Sequence, residues 1–185
     1  MRVIAGSRRS LPLKSLEGMD TRPTADRYKE TLFNCLQNDV PGSRFLDLFA
    51  GSGAIGIEAL SRGAHHAVLV ENSVAAISII KQNVKFTKFE NEADILRSDV
   101  ISYVRGLRKV DFDVIFIDPP YGKGLERQVL EILDTKPFAN EDAVIVVEAL
   151  LEEDLSYLET TKFSIFKEKR YKTNKHVFLK LSGGQ

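Results

Sequence analysis

Cysteine is nearly absent from this chain of 185 residues and histidine is scarce: Cys35 stands alone, and the histidines are His65, His66 and His176. One thiol cannot close an intramolecular disulfide or build a cysteine-rich zinc site, and histidines so placed have no ligand spacing, so no metal is expected. Cys35 reads as a small core residue. Long apolar runs are missing too. Stretches such as Val144 to Val147 fall far short of the roughly 18 residues needed to cross a bilayer. The segment from Met1 to Ser15 carries arginines where a secretory signal needs an apolar stretch. A cytoplasmic protein with no membrane partner is the expectation. No Gly/Ser/Pro linker, low-complexity tract or long-period repeat divides the chain.

A net charge is also lacking, since 26 basic residues balance 26 acidic ones. The balance hides segregation. Arg2, Arg8, Arg9 and Lys14 open the chain with no acid among them, and residues 161–180 hold seven Lys or Arg against Glu168. Residues 131–160 hold nine acids and one lysine. A bipolar surface of this kind is able to hold a phosphate backbone. Apolar residues at 43% and charged residues at 28% match a soluble globular chain with one core, and the length suits one domain, expected as a monomer.

The middle of the chain alternates in kind. Short β-rich runs (Arg44 to Phe49, Ala67 to Glu71, Asp94 to Asp99, Phe112 to Asp118, Ala143 to Glu148) are separated by stretches with helical spacing, such as Ile57 and Leu60, then Val74, Ile77, Ile80 and Val84. That order predicts an α/β fold with a mostly parallel central sheet and helices on both faces. Upstream, Arg2 to Ala5 and Leu11 to Lys14 predict a small hairpin, and Thr24 caps a helix to about Asn38 with Tyr28, Leu32 and Leu36 on its buried stripe. Downstream, Lys162 to Tyr171 and His176 to Leu181 predict an antiparallel hairpin at the sheet edge.

From Leu46 the chain reads Leu-Asp-Leu-Phe-Ala-Gly-Ser-Gly-Ala-Ile-Gly: an apolar strand, a glycine turn and a helix start. Gly51, Gly53 and Gly56 have the GxGxxG spacing, so Ala50, Gly51, Ser52 and Gly53 are expected to cradle a ligand. Glu71, followed by Asn72, closes the next strand where a carboxylate can accept both hydroxyls of a ribose. Asp99 ends the strand after that and is placed to receive an adenine amino group. The ligand is thus an adenosine compound. Asp47 lies inside the strand, four residues before the first glycine. A carboxylate there suits the ammonium of a methionine moiety better than a pyrophosphate, which favours S-adenosylmethionine over a dinucleotide.

Asp118-Pro119-Pro120-Tyr121 follows the most apolar strand at the same edge. Successive prolines fix φ and remove two donors, leaving a rigid cluster of carbonyl acceptors. A planar exocyclic amine needs such acceptors, here Asp118 and the Pro119 carbonyl, with an aromatic ring to stack on its base. Tyr121 supplies the ring, and on this reading its hydroxyl is unused.

With both motifs in place the chain resembles the class I, Rossmann-like, S-adenosylmethionine-dependent methyltransferases that act on amino groups. More closely, Arg22-Pro23-Thr24 with Arg27 and Glu30 to Asn34, then Asp47 to Gly53, Glu58 to Gly63 and the tetrapeptide, resemble the RsmD family. These are bacterial methyltransferases of the guanine 2-amino group in small-subunit ribosomal RNA. Val146-Val147-Glu148 also looks like a strand end of that family, whereas Lys172 stands where its pattern has a glycine. The resemblance implies that Arg22 and Arg27 line the site and that Arg8, Arg9 and Lys14 contact phosphates. It implies an RNA-contacting extension over residues 1–40, a methyltransferase domain over 41–185, and ribosomal RNA or a small-subunit assembly intermediate as partner. A DNA adenine-amino methyltransferase, a nicotinamide oxidoreductase and a non-catalytic RNA-binding module are the competing readings.

Overall fold

The computed structural model describes residues 1–15 and 23–183, the side chains of residues 23–25 excepted. Seven strands form one sheet: β1 (Arg44–Asp47), β2 (His66–Glu71), β3 (Ala93–Arg97), β4 (Val114–Ile117), β5 (Val144–Leu150), β6 (Phe163–Arg170) and β7 (Asn174–Leu181). Their order is β3-β2-β1-β4-β5-β7-β6. The first five run parallel, and β7 enters antiparallel between β5 and β6. The C-terminal hairpin therefore closes the sheet as expected, with its second strand on the inside.

Among the described residues five helices cover the sheet: α1 (Pro23–Cys35), α2 (Ala54–Ser61), α3 (Val74–Thr87), α4 (Val100–Gly106) and α5 (Leu125–Asp134). Each face has its own core. Leu32, Phe33, Ile57, Ile80, Phe116 and Phe178 fill one, under α1, α2 and α3. Val104, Val129, Leu133, Ile115, Ile117 and Leu179 fill the other, under α4 and α5. Strand β4 is buried at all four positions because it feeds both cores, which is why Val-Ile-Phe-Ile does not alternate with polar residues. Val74 departs from the expected buried stripe at 61% exposed. It opens α3 directly after the cap Ser73, on the turn that stands clear of the sheet rim.

The N-terminal hairpin is reduced to one bridge, Arg2 to Pro12, closed by a 3-10 turn over Gly6–Arg8. The Val3 and Leu13 N–H groups donate across it to the Leu11 and Met1 carbonyls at 2.9 Å, and α2 holds its first strand. Glu58 Oε2 and Oε1 accept the Ile4 and Ala5 N–H groups at 2.8 and 3.0 Å. Ser61 Oγ donates to the Ala5 carbonyl at 2.6 Å and accepts the Arg8 N–H at 2.9 Å. Gly6 (φ +81°) lies so close to α2 that a Cβ there would fall 1.8 Å from the Ser61 carbonyl oxygen. Val3 and Leu13 join the core under α1 to α3.

Candidate active site

At the end of β1 the chain turns beneath α2, and Asp47 is enclosed there at 1% exposure. Its Oδ2 accepts the Gly56 N–H at 3.3 Å, and its Oδ1 is buried without a hydrogen-bond partner among the described residues. Burial pushes its pKa up to about 7, with the Gly56 N–H opposing and the Glu71 charge adding to the rise. A Cβ on Gly56 would meet Leu69 Cδ2 of β2 at 2.2 Å, so glycine is what lets α2 lie on that strand. Glu71, at the end of β2, accepts the Gly51 N–H at 2.9 Å and the Ser73 N–H at 2.7 Å. It ties the glycine turn to the start of α3. Asn83 of α3, which sequence reasoning missed, ties the same turn to the N-terminal arm by donating to the Ser52 and Lys14 carbonyls, both at 2.9 Å.

The other half of the site is a polar row across three strands. Ile117 is in register with Val147, and Glu148 with His176. Asp118, Glu148 and His176 therefore stand side by side on the sheet face that carries α1. Glu148 Oε1 accepts the Tyr121 hydroxyl at 2.6 Å and the Asn174 amide, and Oε2 lies 3.2 Å from His176 Nε2. His176 Nδ1 meets the Tyr171 hydroxyl at 2.9 Å. One assignment satisfies the chain: Tyr171 donates to Nδ1, and Nε2–H donates to Glu148. Burial raises the Glu148 carboxyl, but hydrogen bonds from His176, Tyr121 and Asn174 outweigh it and hold the group below the ordinary value. Asp118 has no hydrogen bond or ion pair among the described residues. Burial first, then the Glu148 and Asp47 charges, push its carboxyl well above the usual range.

The two halves face one cavity of about 320 Å³. Ala50, Gly51 and Ser52 line it from the loop, and Asp118, Glu148 and His176 line it from the row. Met1, Tyr28 and Lys29 supply a third wall that sequence reasoning did not foresee, since nothing local marks a helix as facing a site. A wider depression of about 570 Å³ between Asp154 and Ser164 is open and holds none of the motif residues.

The other expected residues are placed as follows. Gly53 precedes α2 and its carbonyl accepts the Ile57 N–H at 2.9 Å. Asn72 is exposed at the rim. Asp99 caps α4, its Oδ1 accepting the Ser102 N–H at 2.9 Å, with the rest of the carboxylate free at the same rim. The Tyr121 hydroxyl, expected to be idle, is instead bound to Glu148, because the turn brings the ring back over β5. Arg22 lies outside the described residues. Arg27 is exposed on α1 next to Tyr28, and Asp26 pairs with Arg2 at 3.1 Å. Arg8 is spent within the protein, where its Nε donates to the Thr87 carbonyl at 2.7 Å and its guanidinium covers Phe89. Arg9 is exposed, and Lys14 Nζ reaches Gln82 at 2.6 Å.

The site is short of positive charge. Asp47 carries a buried oxygen without a hydrogen-bond partner among the described residues, and burial first, then the charges of Glu148 and Asp47, hold Asp118 above its usual pKa range. A ligand bringing a sulfonium and an ammonium group relieves both, and the free acceptors at Glu71 and Asp99 suit an adenosine. The donor and acceptor set thus fits S-adenosylmethionine.

The family described as Conserved hypothetical protein 95 matches residues 1–180. Ribosomal RNA small subunit methyltransferase D of Escherichia coli is 34% identical over 169 residues, covering 91% of this chain and 84% of that protein. The YlbH protein of Bacillus subtilis is 41% identical over 150 residues, covering 80% and 82%. The solved structure of yhhF from Escherichia coli superposes with a TM-score of 0.83 at 31% identity, over 100% of this chain and 99% of that one.

Proposed function

We propose a function on one premise: this chain belongs to the RsmD-like family of methyltransferases, described as Conserved hypothetical protein 95, through residues 1–180. It transfers a methyl group from S-adenosylmethionine to the exocyclic 2-amino group of a guanine in small-subunit ribosomal RNA, and it acts as a monomer. The observation that carries this reading is the single cavity shared by the glycine loop and Asp118, a carboxylate with its acceptor sites open.

Bound S-adenosylmethionine supplies a methyl group on a sulfonium, which keeps the electron pair of the broken S–C bond as the amine nitrogen forms the new N–C bond. The glycine turn and Glu71 position the cofactor end, and Asp47 supports it from beneath with its negative charge. Asp118 accepts an amine hydrogen, directs the nitrogen lone pair away from itself and steadies the positive charge that develops on nitrogen. Because burial and its neighbours raise its proton affinity, Asp118 is also suited to take the proton the nitrogen sheds. Pro119 and Pro120 keep the turn rigid, and the Tyr121 ring stacks on the base.

RNA as partner is supported by the name of the Escherichia coli relative and by exposed basic groups around the rim. Arg27 flanks the cavity on α1, and Lys169, Arg170 and Lys172 stand near the β6–β7 turn, at the end of β7 that bears Asn174 and His176. Residues 1–40 serve as the RNA-contacting extension and residues 41–185 as the methyltransferase domain. The decisive test is transfer of labelled methyl groups to small-subunit ribosomal RNA from cells lacking the gene, both free and assembled into particles, with mass mapping of the product. The expected product is 2-methylguanine at one position. Label on an adenine amino group or on DNA overturns the reading.

A further inference from the structure

The row Asp118, Glu148, His176 has more hydrogen-bonding capacity than holding a loop requires. A carboxylate offers about four acceptor positions. Glu148 uses two on Oε1, for Tyr121 and Asn174, and one on Oε2, for His176. One lone pair of Oε2 is left. The side chain remains 17% exposed and lines the cavity one strand over from Asp118.

Guanine is the base whose edge fits two adjacent carboxylates. It presents N1–H beside the 2-amino group, an unbroken run of donors. Adenine and cytosine each place a ring nitrogen lone pair next to their amino group, and that lone pair would face an anion. Asp118 and Glu148 stand on the neighbouring strands β4 and β5 and line the same cavity, so both carboxylates face one bound base.

Resting on the proposed guanine reading, we infer that Glu148 is the specificity-determining residue: its free Oε2 lone pair accepts N1–H of the target guanine while Asp118 accepts from the 2-amino group. The rest of the network serves that role. His176, fixed by Tyr171, donates to Oε2 and holds the carboxylate as an anion aimed into the cavity. Tyr121 anchors Oε1 and is itself anchored, so the ring that stacks and the oxygen that reads the edge are set by one side chain. The hydrogen bonds that lower the Glu148 carboxyl keep it ionised, as an acceptor-only wall must be.

The test uses the full chain and small-subunit ribosomal RNA, free or in particles, carrying either guanine or 2-aminopurine at the position the enzyme methylates. 2-Aminopurine keeps the 2-amino group but has a bare N1 lone pair. A site built to accept an N–H rejects an analogue lacking it, so wild type is expected to favour guanine by about 100-fold or more in kcat/KM. Glu148→Gln keeps the shape and brings an amide able to donate to a bare N1. Its preference for guanine is expected to shrink at least tenfold, with cofactor affinity near wild type. Arg27→Ala, an exposed position on α1 with no contact to Glu148, is the comparison variant, expected to lower methylation of both bases while leaving their ratio unchanged. A wild type indifferent to the two bases, or a Glu148→Gln chain that loses the same factor on both, overturns the assignment and leaves the proposed function intact. A wild type that methylates no guanine overturns both.

Discussion

Three carboxylates on the same face of the sheet, Glu58 in one place and Asp47 with Asp118 in another, are treated in opposite ways. Glu58, fully enclosed, has Lys29 at 3.2 Å and Arg62 at 2.8 Å as well as the two backbone N–H groups of the arm. Every lone pair is used and the charge is matched. Among the described residues Asp47 and Asp118 have no paired cation, and Oδ1 of Asp47 is buried without a hydrogen-bond partner. Leaving a buried polar atom unpaired costs roughly 1 to 3 kcal/mol, a cost that a positive ligand beside Asp47 offsets. The satisfied cluster holds the fold together, and the unsatisfied one is the place that awaits a positive ligand. Strongly perturbed carboxyls in a cleft point the same way.

The contrast is sharpest in stability. Removing Glu58 leaves Lys29 buried without its partner and strands two backbone donors, so Glu58→Ala is expected to lose about 3 to 5 kcal/mol in urea unfolding. A loss under about 1 kcal/mol would break the distinction. Asp118→Asn is expected to do the reverse, stabilising the cofactor-free protein by relieving an unmatched charge. Single-turnover methylation by the same variant falls about 10²- to 10³-fold, with RNA binding little changed. Wild-type rates would remove Asp118 from the chemistry.

A pH titration probes the third carboxylate. The native state holds a proton on Asp47 up to about pH 7, while the unfolded chain releases it at the ordinary carboxyl value. The contribution of this group to the stability of the cofactor-free protein therefore declines as pH rises between those two values. Affinity for S-adenosylmethionine rises through the upper part of the same window as the anion forms. Asp47→Asn is expected to flatten both curves, and calorimetry across that range measures it. The smallest effect concerns the arm. Arg9→Ala is expected to reduce the salt slope of RNA binding by about one without touching stability. Arg8→Ala is expected instead to loosen the arm by about 1 kcal/mol, since that side chain is bonded to Thr87 and not free for phosphate.

The parallel strands, the glycine turn and the tetrapeptide were readable because each is a local pattern: an apolar run from Phe45 to Ala50, broken by Asp47, into glycine; Val114 to Ile117 unbroken; two prolines after Asp118. What could not be read depends on pairings between distant residues. Glu148 meets His176 only because β7 reverses direction and enters beside β5, and no spacing in the chain announces that neighbour. The Glu58 to Gly63 motif was visible as a resemblance, yet its reason, a clamp on residues 4–8, lies more than 50 residues away. Arg8 and Arg9 look alike as neighbours in a basic segment. Only the end of α3, with its open carbonyl at Thr87, separates them.

That clamp has a consequence for the order in which the protein is made. The contacts that hold the arm span 54 residues from Ile4 to Glu58 and 79 from Arg8 to Thr87. A ribosome synthesising roughly 5 to 20 residues per second delivers the arm first, and it then waits several seconds for its docking surface to be translated. The arm is made before its docking surface and is thus among the latest elements placed, and Met1, which lines one wall of the cavity, arrives with it. Pulsed hydrogen exchange on refolding chains is expected to find the Ile4 and Ala5 amides protected after those of β1 and β4, so that the nascent chain has a finished sheet before it has a finished pocket.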